Sequence, residues 1–186
     1  MTSRRTFLFA AAPVALFPGT ALVALNACSR DTAMSNEANS TVQDARVPIR
    51  KLDKPHQEWK QFVSEGAYDV LFNESTERAG SSPLDREKRV GTFICAACYL
   101  PLFDMSAKFD SGTGWPSFFQ PIAGHVETKR DFTLIWPRTE YHCARCGGHQ
   151  GHVFGDGPKP TGTRYCNNGI ALHFVQAGET LPALRG

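Results

Sequence analysis

Along the chain, apolar positions change their spacing from one stretch to the next. From Thr6 to Ala27 they run on without a single charge, behind a basic start at Arg4 and Arg5. Residues 29–50 are rich in Ser, Thr, Asn, Asp and Ala with no apolar period, the composition of a solvated tether. From Pro55 to Phe72 the residues Trp59, Phe62, Val63, Val70 and Leu71 recur with helical spacing. Gly66 is expected to divide that stretch into two short helices. Thr76 to Val90 is polar, and Gly80, Ser81, Ser82 and Pro83 mark a loop within it. After Gly91, short β-branched and aromatic runs alternate with turn clusters: 92–94, Phe132 to Trp136, His152 to Phe154, and Ile170 to Val175. Runs of this kind, bounded by Gly, Pro and Asp, predict antiparallel strands. No long helical pattern follows Leu84. The expected fold class is therefore mainly β (α+β), with antiparallel sheets behind short N-terminal helices. One domain over 51–186 would follow a leader over 1–27 and a flexible tether over 28–50.

Composition narrows the class. The 186 residues are 41% hydrophobic and 20% charged with a formal net charge of +2, which is ordinary for a globular domain. Disordered, collagen-like and multi-span membrane chains are excluded. Twenty Lys and Arg face 18 Asp and Glu without a basic block, so no nucleic-acid partner is expected. The basic start and uncharged run are the pattern of an export signal. A stretch of about 20 apolar residues is also long enough to span a bilayer, but Pro13, Pro18 and Gly19 interrupt this one.

Arg4 and Arg5 in Ser-Arg-Arg-Thr-Phe-Leu resemble a twin-arginine signal, although Phe9 stands where lysine is usual. Leu25-Asn26-Ala27-Cys28 resembles a lipoprotein cleavage box, with Asn26 at a position normally small. Cleavage there would leave Cys28 as a lipid-bearing first residue and anchor the chain. Otherwise Cys28 is removed with the signal or stays as a stray thiol. The expected location is the periplasm or cell envelope. Loss of residues 1–27 removes Arg4 and Arg5 alone and leaves a neutral body, with no electrostatic pull toward an anionic partner. A tethered domain of this kind is expected to be a monomer.

Candidate chemistry begins with the cysteines. Cys95-Ala96-Ala97-Cys98 and Cys143-Ala144-Arg145-Cys146 are two Cys-x-x-Cys pairs separated by 44 residues. A two-residue spacer lets one tight turn present both thiolates to an ion, and two such turns complete a tetrahedral four-sulfur site. Such a site has no open position, so zinc there would be structural and would clip distant parts of the domain together. Two disulfides are the alternative in an oxidising compartment, and iron is a minor one.

Cys166 stands apart, in Thr163-Arg164-Tyr165-Cys166-Asn167-Asn168. In a strand, Arg164, Cys166 and Asn168 share a face. An arginine beside a thiol lowers its pKa and favours the nucleophilic thiolate, while the amide offers a neutral hydrogen-bond partner. A buried structural cysteine is the plain alternative. His149 and His152 lie shortly before Cys166, and His152 precedes it by 14 residues. Histidine is a natural proton donor near neutral pH. His56, His125, His142 and His173 carry no such pattern.

Assembled, these residues resemble a known family. Ser111-Gly112-Thr113-Gly114-Trp115-Pro116-Ser117-Phe118, Gly151-His152-Val153-Phe154-Gly155-Asp156-Gly157-Pro158, and Arg164-Tyr165-Cys166-Asn167-Asn168 resemble the type B peptide-methionine (R)-S-oxide reductases over roughly residues 52–176. The Cys-x-x-Cys pairs fall where that family keeps its structural zinc. The resemblance implies an oxidoreductase that reduces the R epimer of methionine sulfoxide, free or in proteins. Cys166 would attack the sulfoxide sulfur and end as a sulfenic acid. His152 would help protonate the oxygen, supported by His149 and Asn168. Arg164 would stabilise the thiolate and Asp156 would orient the polar groups. Trp115 would form the wall for the substrate's methyl group, with Phe154 nearby.

Three positions depart from the family pattern. Thr113 replaces a recycling cysteine that many members carry, which leaves Cys28 as the one alternative outside the zinc set. A one-cysteine enzyme is expected, recycled by a small thiol or a thioredoxin-like partner. Gly169 stands where serine is usual and is expected to loosen the strand end. Gln150 stands where an apolar residue is common. Two other classes remain: a zinc-stabilised peptide-binding module anchored by Trp115, and a disulfide exchanger using its Cys-x-x-Cys pairs.

Overall fold

The computed structural model of the chain describes residues 49–132 and 136–186. The predicted leader over 1–27, Cys28, and all but the last two residues of the predicted tether lie outside the described residues. Helix α1 spans Glu65–Asn73 and follows a 3-10 turn over His56–Gln61. The break between them is not at Gly66, as expected, but at Ser64. Ser64 is extended (ψ 160°), and its side chain accepts a hydrogen bond from the Ala67 N–H, so it caps a new helix and leaves Gly66 inside the first turn. Helix α1 buries Ala67, Tyr68, Val70, Leu71 and Phe72. The fully buried Trp59 stacks on Phe72 with ring centroids 5.9 Å apart.

The strands are β1 Gly91–Cys95, β2 Pro101–Asp104, β3 Lys108–Phe109, β4 Ser117–Phe118, β5 Val126–Asp131, β6 Arg138–Cys143, β7 His149–Phe154, β8 Arg164–Asn167 and β9 Leu172–Gln176. They form a three-stranded sheet, β2-β1-β9, and a six-stranded sheet, β3-β4-β8-β7-β6-β5, with every pairing antiparallel. The mainly β reading therefore holds. Phe93 and Phe103 of the first sheet meet Phe118 of the second, at 4.9 and 4.1 Å between centroids, and make the core that joins the two sheets.

Two predicted strands are corrected. Phe132 and Trp136 are not in a strand and are 72% and 81% exposed, while 133–135 lie outside the described residues. The true strands flank them. Strand β5 has Glu127 to Arg130 exposed, so it shows no apolar alternation. It is held by six residue pairs to β6, as a charged edge strand. Ile170 and Ala171 lie in a 3-10 turn over Gly169–Ala171, and β9 begins at Leu172. Among the described residues no helix is long and apolar enough to cross a membrane.

Candidate active site and metal centre

The two Cys-x-x-Cys segments fold alike. In each, the amide after the second cysteine returns to the first: Tyr99 N–H to Cys95 O and Gly147 N–H to Cys143 O, both 2.9 Å. Those two residues take left-handed backbone, φ 63° and 72°. Four buried sulfurs result, all within 4.8 Å of one another, with Cys95–Cys146 at 3.6 Å and Cys98–Cys143 at 3.5 Å. Ligands 2.3 Å from one ion in tetrahedral array lie about 3.8 Å apart, so the set fits a four-thiolate metal. The sulfurs are not paired as disulfides. Hydrogen bonds from Cys143, Cys146 and Cys95 hold the Cys98 thiol well below its usual range, whereas Cys95 and Cys146 are pushed well above theirs. A bound cation would relieve that conflict.

Cys166 lies at the centre of the six-stranded sheet. Register sets Ser117 opposite it on β4 and His152 opposite it on β7; Glu140 on β6 then faces His152, and Lys129 on β5 faces Glu140. Directly opposed residues share a sheet face with Cα atoms about 4.5–5.5 Å apart. One polar row therefore crosses five strands: Ser117, Cys166, His152, Glu140, Lys129. Close approach at Gly151 is part of its construction, because a Cβ there would sit 1.9 Å from the Cys166 carbonyl oxygen.

A cavity of about 130 Å³ opens on this row, lined by Cys166, His152, Asn168, Trp115, Phe154 and Arg138 among others. A wider cleft of about 550 Å³, lined by Phe62, Ile170 and Phe174, contains none of these groups. Five sequence-predicted residues thus meet in the smaller cavity. Arg164, Asp156 and His149 do not line it and stand behind it. Asp156 grips the Arg164 guanidinium with both oxygens at 2.8 and 2.9 Å, and the guanidinium stacks on Phe154, 4.3 Å from the ring centroid. Asn168 is not on the strand face shared by Arg164 and Cys166, because β8 ends at Asn167. Its side chain is fixed instead by Gln150 O (3.0 Å) and the Glu77 N–H (3.0 Å).

Burial pushes the Cys166 thiol above its usual range; Arg164, Thr113 and Ser117 pull the other way without prevailing. The arginine opposes the shift but does not bring the thiol below its ordinary value, as its placement in the sequence suggested. Burial also moves the His152 pKa down, while Asp131 resists that shift. His152 Nε2 lies 2.8 Å from Asp131 Oδ2, which also accepts from Arg138 at 2.7 Å. His149 is buried, its ring 5.3 Å from that of His152. Its Nδ1 is 3.0 Å from Glu140 Oε1. Burial disfavours the Glu140 charge, but His149 and Lys129, with Lys129 Nζ at 3.0 Å, outweigh it and hold the carboxyl low.

Sequence reasoning missed Asp131, Arg138, Glu140 and Glu77. Glu77 accepts from Trp115 Nε1 through its carbonyl (3.2 Å) and from the Gly169 and Ile170 N–H groups through its carboxylate. One polar loop thus fixes the wall and the strand end together. At the strand end Gly169 is buried and its N–H donates to the Glu77 carboxylate. A Cβ there would lie 2.1 Å from Ser82 Oγ, so glycine is what allows the tight packing. Gln150 is fully buried, donating to Cys95 Sγ at 3.6 Å and accepting from Asn167 Nδ2 at 3.3 Å. An amide there ties the metal centre to the strand that carries Cys166.

Comparison with known proteins finds a match between residues 63–176 and the SelR domain. The chain is 48% identical over 128 residues to "Peptide methionine sulfoxide reductase MsrB" of Pseudomonas putida, covering 68% of this chain and 96% of that protein. It is 49% identical over 123 residues to the protein of the same name from Bradyrhizobium diazoefficiens, covering 66% and 88%. It is 43% identical over 152 residues to "Peptide methionine sulfoxide reductase B1, chloroplastic" of Arabidopsis thaliana, covering 81% and 74%.

Proposed function

Since the chain belongs to the SelR-domain family of methionine sulfoxide reductases, an oxidoreductase family, we propose that it reduces the R epimer of methionine sulfoxide through a Cys166 sulfenic acid. The observation that carries this reading is the pairing of Cys166 with His152 across β7 and β8, beneath a small cavity walled by Trp115 and Phe154. A sulfoxide sulfur resists attack until its oxygen is protonated, so nucleophile and acid must act together. The Cys166 thiolate attacks the sulfur while His152 gives the oxygen a proton. The oxygen passes to the Cys166 sulfur as the thioether leaves. The cysteine loses two electrons and the sulfoxide gains them. A first external thiol displaces water from the sulfenic acid to give a mixed disulfide, and a second releases Cys166.

The four-cysteine set would hold zinc, which supplies a structural clip between the two turns and takes no part in the reaction. Thr113 provides no recycling thiol, which supports direct reduction by a small thiol or a thioredoxin-like donor. The leader supports repair of oxidised proteins in the cell envelope, with Cys28 as the lipid anchor. The test offers both epimers of capped methionine sulfoxide to the protein with excess dithiol. Loss of the R epimer alone, abolished by Cys166→Ser, is expected. Consumption of neither epimer by folded, metal-loaded protein would overturn the reading and favour the peptide-binding module.

A further inference from the structure

A cluster of three hydroxyls adjoins Cys166, which among the described residues is the cysteine outside the metal centre. Ser111 Oγ lies 2.8 Å from both Thr113 Oγ1 and Ser117 Oγ. Ser117 and, through Ser111, Thr113 are thereby placed beside the Cys166 side chain, where both hydroxyls favour a charged sulfur. Ser117 is fully buried and sits directly opposite Cys166 in the β4–β8 pairing. Left-handed glycines at 112 (φ 69°) and 114 (φ 85°) bend the intervening loop, a conformation that glycine adopts without strain. The cluster is thus held by a strand register on one side and a glycine-shaped turn on the other.

We propose that Ser111, Thr113 and Ser117 form a hydroxyl relay that stabilises the charged form of the Cys166 sulfur. Each hydroxyl has one proton to give and lone pairs to receive. While Cys166 is a thiol, the Ser117 hydroxyl donates to Trp115 O at 3.1 Å. Once the sulfur is charged, the Thr113 and Ser117 protons turn to it. Ser111, which donates to one of them, strengthens that member's own donation, because linked hydrogen bonds polarise one another. A hydroxyl facing a thiolate makes a charge-assisted bond, stronger than a neutral one.

The relay works in surroundings that otherwise disfavour the charge. The other charged or titratable groups near the sulfur are Arg164 on β8 with its partner Asp156, His152 on β7, Arg138 on β6 with its partner Asp131, Tyr165 beside Cys166, and Tyr141 on β6. Of these, Arg164 is the cation that favours the charged sulfur. The hydroxyls are therefore the second means by which this chain offsets the burial of Cys166. The proposal rests on Cys166 being the attacking thiol, but its test needs no turnover.

The experiment is the pH dependence of iodoacetamide alkylation at Cys166, read by peptide mass spectrometry on the folded, metal-loaded protein. Thr113→Val keeps the shape and removes the donor, and should raise the Cys166 pKa by about one unit, a tenfold loss of thiolate at fixed pH. Thr113→Ser restores the hydroxyl and should return the pKa to within about 0.3 units of the parent. Ser111→Ala does not touch the sulfur and should raise it by less than Thr113→Val. Equal shifts in Thr113→Val and Thr113→Ser would overturn the relay in favour of a loop-packing effect. Unchanged titration in Thr113→Val and Ser111→Ala would overturn it outright. If these shifts appear in a protein that reduces neither epimer, the relay stands and the proposed reaction falls.

Discussion

Replacing Asp131 with Asn removes one charge from the histidine that is proposed to give the proton. In the parent, burial holds the His152 pKa below its ordinary value and the Cys166 pKa above its own. The reacting pair needs the first protonated and the second ionised, so only a small fraction of free enzyme holds both forms at once. Between the two pKa values that fraction is constant, which predicts a flat-topped profile of kcat/KM with an acid limb set by His152 and a basic limb set by Cys166. Asp131 Oδ2 contacts His152 Nε2 at 2.8 Å, and its charge also offsets Arg138 at 2.7 Å. A hydrogen bond to a charged group is worth about 1.5–3 kcal/mol, or roughly 1–2 pKa units. In Asp131→Asn the His152 pKa falls by that amount, so the plateau drops roughly 10–100-fold. The stronger acid that results trims the loss toward the lower end. The acid limb moves to lower pH by the same 1–2 units. Parent and variant therefore converge at acid pH, where His152 is protonated in both. The assay is single-turnover formation of methionine without reductant, which isolates the sulfoxide step. A uniform deficit at every pH, with the acid limb unmoved, would refute His152 as the proton donor.

Other outcomes follow from packing and from the metal centre. Gly169→Ser drives a side chain into Ser82, because its Cβ would lie 2.1 Å from the Ser82 Oγ, and should cost about 1–3 kcal/mol in urea unfolding. Adding Ser82→Gly should recover most of that loss, and additive effects in the double variant would contradict the contact. Gly151→Ala should destabilise by at least about 3 kcal/mol, because β7 must part from β8 at Cys166; a melting temperature near the parent's would sink that account. The protein should carry one tightly held divalent ion, and displacing it with a mercurial should release the metal and lower the melting temperature. A metal-stripped protein that melts like the parent would show the four thiols to be structurally idle.

The chemistry of this fold is easier to read from the chain than its edges are. Cys95, Cys98, Cys143 and Cys146 are legible because two-residue spacing has one strong geometric meaning. Cys166 and His152 stand out because a lone thiol and a nearby histidine both lie on β-patterned runs. Strand β5 is hidden because backbone pairing, not apolar burial, holds it, and β6 because its buried positions mix the charged Glu140 with Tyr141 and Cys143. The apolar run from Phe132 to Trp136 reads as a strand although the two aromatic residues at its ends are left in water. Glu77 leaves no trace because it acts from 91 positions away on Asn168, mostly through backbone groups. Asp131 and Glu140 are charges on polar strands until the register sets them beside His152 and His149. Gly66 misleads for the opposite reason: a helix start is written by the capping Ser64 rather than by the nearest helix breaker.

The most direct test of the account is one turnover on methionine-R-sulfoxide with no reductant present, followed by dimedone trapping and peptide mapping. One methionine per chain with one dimedone adduct, on Cys166 and on none of Cys95, Cys98, Cys143 or Cys146, is the predicted result. Methionine formed without an adduct at Cys166, or with a Cys166–Cys28 disulfide in its place, would contradict a single-cysteine sulfenic acid mechanism.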